Sequence, residues 1–201
     1  MNTLANIKQY MNALVNKNNQ PKVVLIGSTA VGKTSLIKRL TENTFDNSTS
    51  PTTGTAFFQL KTESPDHPFI QIWDTAGLER YRSLNRIFYH EAVGALLVFD
   101  LTRAQSFMEL DSWLNEFVTE APLNPSIVLL GNKSDLKDLI EVENDEILSF
   151  ANEHGLKYFS TSAATGDGVE EMLNYFLTIL PKANKVDTTN IEVQKEESGC
   201  C

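Results

Sequence analysis

Cysteine is nearly absent: only Cys200 and Cys201 occur in 201 residues, side by side at the end. No disulfide framework can therefore be built inside a domain, and the compartment expected is a reducing one. Long apolar runs are also missing. Stretches such as Ala95–Phe99 are far too short to cross a bilayer. The first twenty residues hold no apolar block and no small-residue cleavage site, so they do not read as a secretory signal. Positive charge is in deficit, with 17 basic against 26 acidic residues and a net charge of −9, which argues against a nucleic-acid partner. What is present is ordinary for a globular domain: 41% hydrophobic and 21% charged residues.

The chain divides into three parts: a 1–20 extension, a 21–181 domain and a 182–201 tail. Leu4, Ile7, Met11 and Leu14 recur at helical spacing in the Asn-rich extension, which otherwise reads as a loosely ordered leader. In the domain, Val23–Ile26, Phe57–Leu60, Phe69–Trp73, Ala95–Asp100, Ile127–Gly131 and Tyr158–Ser160 read as strands, with a turn at Ser64–Pro68. Thr34–Leu40, Ser106–Thr119, Glu143–His154 and Val169–Leu180 read as helices. In the second of these, Phe107, Leu110, Leu114, Phe117 and Val118 are expected to share the buried face. The alternation predicts an α/β fold of six mostly parallel strands with helices on both faces. The tail loses hydrophobic periodicity, carries a net charge of −1 and reads as a linker.

Gly27-Ser28-Thr29-Ala30-Val31-Gly32-Lys33-Thr34 fits the phosphate-loop pattern G-x-x-x-x-G-K-[ST], between a predicted strand and a predicted helix. The unpaired N–H groups of a helix start, with others turned inward by the loop, form a cradle for phosphate oxygens. Gly32 lets backbone approach the phosphates, Lys33 brings a movable positive charge, and the Thr34 hydroxyl is a hard ligand for Mg²⁺. Asp74-Thr75-Ala76-Gly77 follows a strand, where an acid can hold Mg²⁺ through water and the Gly77 N–H can meet a terminal phosphate. In Asn132-Lys133-Ser134-Asp135, the Asp135 carboxylate can accept both the ring N–H and the exocyclic amine of guanine, which adenine does not offer side by side. Asn132 can brace the loop and the Lys133 stem can lie along the base.

Taken in this order, the motifs resemble those of the Ras superfamily of small GTPases, and most closely its Rab branch. Residues 72–77, 79–84 and 92–100 and the terminal Cys-Cys look Rab-like as well. The resemblance implies a P-loop NTPase of the small G-protein fold that binds GTP or GDP with Mg²⁺. Its nucleotide contacts would come from Thr29, Ala30, Val31, Gly32, Lys33, Thr34, Ser35, Phe45, Thr52, Gly77, Asn132, Lys133, Asp135, Ser162, Ala163 and Ala164. Within that set Thr52 matches the first-switch threonine that touches Mg²⁺ and senses the γ-phosphate, so the metal would rest on Thr34, Thr52 and Asp74. Phe45 matches the aromatic beside guanine, and the Ala163 N–H would meet the guanine carbonyl. Phe57, Trp73 and Phe88 match the aromatic trio of the effector surface, with simple core packing as the competing account. Cys200 and Cys201 would carry two geranylgeranyl groups.

The resemblance further implies effectors, an exchange factor, a GTPase-activating protein and a GDI-type prenyl chaperone as partners of a monomer. That monomer would cycle between cytosol and the cytoplasmic face of an endomembrane or vesicle.

Departures from the family pattern are specific. The usual first-switch I-G-V-D-F is Thr53-Gly54-Thr55-Ala56-Phe57 here, and Ala30 and Glu91 stand where glycine is usual. The catalytic set of the family would map to Lys33, Thr52, Gly77 and position 78, but Leu78 replaces the glutamine that orients the attacking water. Leucine can neither hold that water nor complement charge on the phosphoryl group. The expectation is a GTP-biased switch with slow intrinsic hydrolysis. The alternatives are a non-hydrolysing GTP-binding module, or a P-loop ATPase or nucleotide kinase, the last at odds with Asp135.

Overall fold

In the computed structural model, the described residues are 20–46, 52, 55–75, 86, 88–122 and 124–182. Their strands are β1 (Lys22–Ile26), β2 (Thr55–Lys61), β3 (Phe69–Thr75), β4 (Ala92–Asp100), β5 (Ser126–Asn132) and β6 (Lys157–Ser160). Their α-helices are α1 (Lys33–Glu42), α2 (Ala104–Met108), α3 (Leu110–Glu120), α4 (Asn144–Glu153) and α5 (Val169–Ile179). The six strands form one sheet in the order β2-β3-β1-β4-β5-β6. The β2–β3 pair is antiparallel and the others are parallel.

The period of two in a strand builds two cores from one run of sequence. In β1, Val24 and Ile26 join Leu97, Phe99, Trp113 and Phe117 on the α3 and α4 side. Val23 and Leu25 join Leu36, Ile37, Val98, Met172 and Phe176 on the α1 and α5 side. Strands covered on both faces read as unbroken apolar runs, which is why β1, β4 and β5 are plain in the sequence.

Several expected boundaries move. Asp74 lies inside β3 and Asn132 closes β5, since both backbones still pair with a neighbouring strand there. The single helix expected over Ser106–Thr119 is two helices, α2 and α3, meeting at Glu109. Its buried face is also corrected. Val118 is half exposed, whereas Trp113 is buried with Leu110, Leu114 and Phe117. Positions 110, 113, 114 and 117 are the true helical stripe, and Val118 falls one step beyond it.

Crossovers carry every parallel connection back to the same edge, so the loops after β1, β3, β4, β5 and β6 share the carboxyl end of the sheet. That edge is where ligands bind in open α/β sheets.

Candidate nucleotide and metal site

The phosphate loop is shaped by what stands behind it. At Gly27, φ is +137°, and a Cβ there would lie 2.1 Å from the Val98 carbonyl oxygen of β4. Gly32 has φ +97°, and its Cβ would lie 2.2 Å from Asn132 Nδ2. Ala30 adopts φ +61°, a left-handed conformation that favours glycine, so this departure carries backbone strain. Among the described residues no side chain caps the start of α1, which leaves its first-turn N–H groups to a ligand.

Lys33 is buried, and its Nζ donates to the carbonyl oxygens of Gly27 at 2.7 Å and Ser28 at 2.8 Å. Burial lowers its pKa to about 8, Asp74 nearby opposes the shift, and Arg103 adds to it. The ammonium is thus short of negative charge in a cradle lined with N–H groups, a setting that a polyphosphate would complete.

Thr34, Thr52 and Asp74 converge from α1, the segment before β2, and β3. Thr34 Oγ1 donates to Asp74 Oδ2 at 2.6 Å and lies 2.9 Å from Thr52 Oγ1. Thr52 Oγ1 is 3.4 Å from the same carboxylate oxygen. Asp74 Oδ1 is buried with no hydrogen-bond partner among the described residues. Burial raises the Asp74 pKa, against the hydroxyls of Thr34 and Thr52 and the charge of Lys33. A small hard cation fits this set: three oxygen-bearing side chains, one orphaned carboxylate oxygen, and hydroxyls whose lone pairs face away from the protons they donate.

A second group of side chains ties the loops after β5 and β6 to the phosphate loop. Asn132 Nδ2 donates to the Val31 carbonyl at 2.9 Å, and Asn132 Oδ1 accepts from the Ala163 N–H at 3.1 Å. The Ala163 amide expected to face a guanine carbonyl is therefore already engaged, and a base oxygen would have to share its proton. Ser162 Oγ donates to Asp135 Oδ1 at 2.6 Å and accepts from the Thr165 N–H at 3.1 Å. Asp135 itself is exposed and Phe45 is 39% exposed, so both can meet a ligand. Lys133, at φ +70°, pairs with Asp100 Oδ2 at 2.5 Å. That ion pair sets the direction of the Lys133 stem.

The aromatic trio comes together. Phe57 meets Trp73 edge-on at 5.4 Å between centroids, and Trp73 meets Phe88 at 5.6 Å. Phe57 is 51% exposed over a buried Trp73, so core packing accounts for the tryptophan and not for the phenylalanine. Thr29 lies in the loop between β1 and α1, Ser35 is buried in the first turn of α1, and the Ala164 carbonyl accepts from Arg39. Gly77, Leu78, Cys200 and Cys201 lie outside the described residues, as do residues 79–84 and 1–19.

Some supporting residues were not anticipated. Arg39 donates to the carbonyls of Ala163 at 2.9 Å and Ala164 at 2.7 Å. Arg103 donates to the Thr29 carbonyl at 2.6 Å. Ser28 Oγ donates to Glu109 and accepts from Trp113 Nε1. Asp100, an acid that closes β4, had a visible signal; Arg39, 124 positions from its partner, had none.

Comparison with known proteins identifies the family. Residues 22–182 match the Ras family. Ras-related protein RABA1b of Arabidopsis thaliana is 36% identical over 201 residues, covering 90% of this chain and 93% of that protein. Ras-related protein Rab-27B of Bos taurus is 39% identical over 173 residues, 80% of this chain and 79% of the relative. Ras-related protein Rab-25 of Mus musculus is 44% identical over 153 residues, 74% and 70% of the two. With a family match from β1 past α5 and relatives of this extent, the chain belongs to the Ras family, as a Rab-type small GTPase.

Proposed function

We propose that this protein is a guanine-nucleotide switch that hydrolyses GTP slowly and recruits effectors in membrane traffic. The observation that carries the nucleotide reading is the meeting of Thr34, Thr52 and Asp74 beside Lys33 and the glycine-shaped loop. The loop amides and Lys33 bind the phosphates, Asp135 selects guanine, and Phe45 flanks the base. Asn132 holds both loops at one spacing. Thr34, Thr52 and Asp74 would hold Mg²⁺, which supplies charge neutralisation at the phosphates when bound. Thr52 and Gly77 report whether the γ-phosphate is present, and the segments around them then order into an effector surface with Phe57, Trp73 and Phe88.

Hydrolysis needs a water placed for in-line attack, and Leu78 brings no group to place it. Its apolar side chain leaves binding intact and removes a positioning element, so turnover falls below the order of 10⁻⁴ s⁻¹ known for intrinsic Ras. Single-turnover hydrolysis of the chain against Leu78→Gln tests this. A rise of about tenfold or more on restoring the amide is expected, and equal rates would remove Leu78 as the cause. A second reading, a GTP-binding recruitment module that does not hydrolyse at all, rests on the same residue. It requires that no activating protein restores turnover.

The domain occupies residues 21–181, with the extension 1–20 and the tail 182–201 outside it. Cys200 and Cys201 take two prenyl groups, because one chain holds a membrane only marginally and the tail has no basic patch to help. The doubly lipidated protein then cycles between cytosol, with a GDI-type chaperone, and the cytoplasmic face of an endomembrane. Intact mass of the protein from its own cells, showing both lipids or none, decides the anchor.

A further inference from the structure

At the edge of the sheet opposite the nucleotide site, the β2–β3 turn and α5 enclose a groove of about 570 Å³. Its apolar wall is Leu173, Leu177 and Leu180 of α5 and the residue after it. Facing them is His67, 1% exposed, with both ring nitrogens lacking a hydrogen-bond partner among the described residues. Acidic side chains of Glu63, Asp66 and Glu170 also line it.

The described chain itself leads into this groove. Lys182, its last described residue, is part of the lining, and its Nζ pairs with Asp66 Oδ2 at 3.1 Å. The next residues are Ala183-Asn184-Lys185-Val186. They combine a positive charge for Glu63 and Glu170 with an apolar side chain for the leucine wall.

We propose that the groove between the β2–β3 turn and α5 is the docking site of the chain's own tail, through residues 183–186. The occupant is argued from continuity and charge. A segment tethered at the rim meets its site at an effective concentration of about millimolar, so even weak contacts keep it seated. Docking shortens the tether between the domain and Cys200 and Cys201, and its release lets them reach further. This holds whether or not the cysteines carry lipid.

The test uses the full unlipidated chain, loaded with GDP and Mg²⁺, and two-dimensional NMR. The Lys185→Glu/Val186→Asp variant should shift the His67 ring nitrogens and the Leu173 and Leu177 methyls relative to wild type. Glu170→Lys, made on the groove side, should in turn shift Lys185 and Val186. The wild-type positions should stay fixed on tenfold dilution, and GDP affinity in the same samples should stay within twofold, which reads the nucleotide site separately. Shifts confined to the substituted residues would overturn the proposal. So would wild-type groove signals that move on dilution, which indicate a second copy, or groove signals that respond to deletion of residues 1–19 and not to the tail substitutions.

Discussion

Gly32 and Asn132 are separated by a hundred residues in sequence, yet a Cβ on Gly32 would lie 2.2 Å from Asn132 Nδ2. The asparagine amide occupies the space a side chain would need while donating to the Val31 carbonyl. The phosphate loop and the guanine-selecting loop therefore set each other's position. Gly32→Ala must displace Asn132 and adopt φ +97° with a side chain. Loss of nucleotide affinity by more than a hundredfold is expected, read from dissociation of a fluorescent GDP. Asn132→Ala keeps Gly32 but frees the Val31 carbonyl and the Ala163 amide, at a cost of about 2 kcal/mol in stability by denaturant melting.

Thr34→Val keeps the volume of the side chain and removes the hydroxyl that bonds Asp74 Oδ2. The fold should hold, because the helix around this position is carried by buried Leu36 and Ile37. Mg²⁺ dependence of GDP retention should move to at least tenfold higher metal concentration. An unchanged Mg²⁺ titration would take Thr34 out of the metal set. Stripping the metal with a chelator should speed GDP release from the wild-type chain and have a smaller effect on the variant.

Lys22 is buried, donates to the His90 carbonyl at 2.8 Å, and sits 5.1 Å from the centre of the Trp73 ring. Burial lowers its pKa to about 8, while Glu91 pulls it up. The folded state thus binds the proton less well than the unfolded chain, so stability rises with pH between about 8 and 10.5. Below that window the full cost of the buried charge is present. Lys22→Met has no such term. The stability of the wild type relative to Lys22→Met should therefore increase by about 3 kcal/mol across the window, followed by denaturant melts at successive pH values. A flat difference would show that the lysine titrates normally.

Glu91 stands at φ +65° in the turn before β4. Glycine takes this conformation without strain, and Glu91→Gly should stabilise the protein by about 0.5–1 kcal/mol. The gain should be smaller at pH 7 than at pH 10, because Glu91 supports the Lys22 charge only while that charge exists. Thermal melts at the two pH values check both the sign and the difference.

Most of the fold was legible because its strands are buried on both faces. Val23–Ile26, Ala95–Asp100 and Ile127–Gly131 advertise themselves as apolar runs, and each is found inside a slightly longer strand. Boundaries were less legible where polar residues continue a ladder. Asp74 and Asn132 look like loop residues by type, yet their backbones pair with neighbouring strands. The break at Glu109 was invisible, since the helical stripe runs through it from Phe107 to Leu110.

The order of chemical groups along this chain, from the Gly27–Thr34 loop through Asp74 to Asn132–Asp135, is written in local sequence. It is local because each motif's chemistry depends on a few adjacent residues and a strand end. Tertiary structure alone decided which groups serve one another: Thr34 with Asp74, Asn132 with Val31 and Ala163, Arg39 with the last loop, and Lys133 with Asp100. Those pairs lie tens of residues or more apart and meet only because parallel strands joined by crossovers bring successive loops to one edge of the sheet.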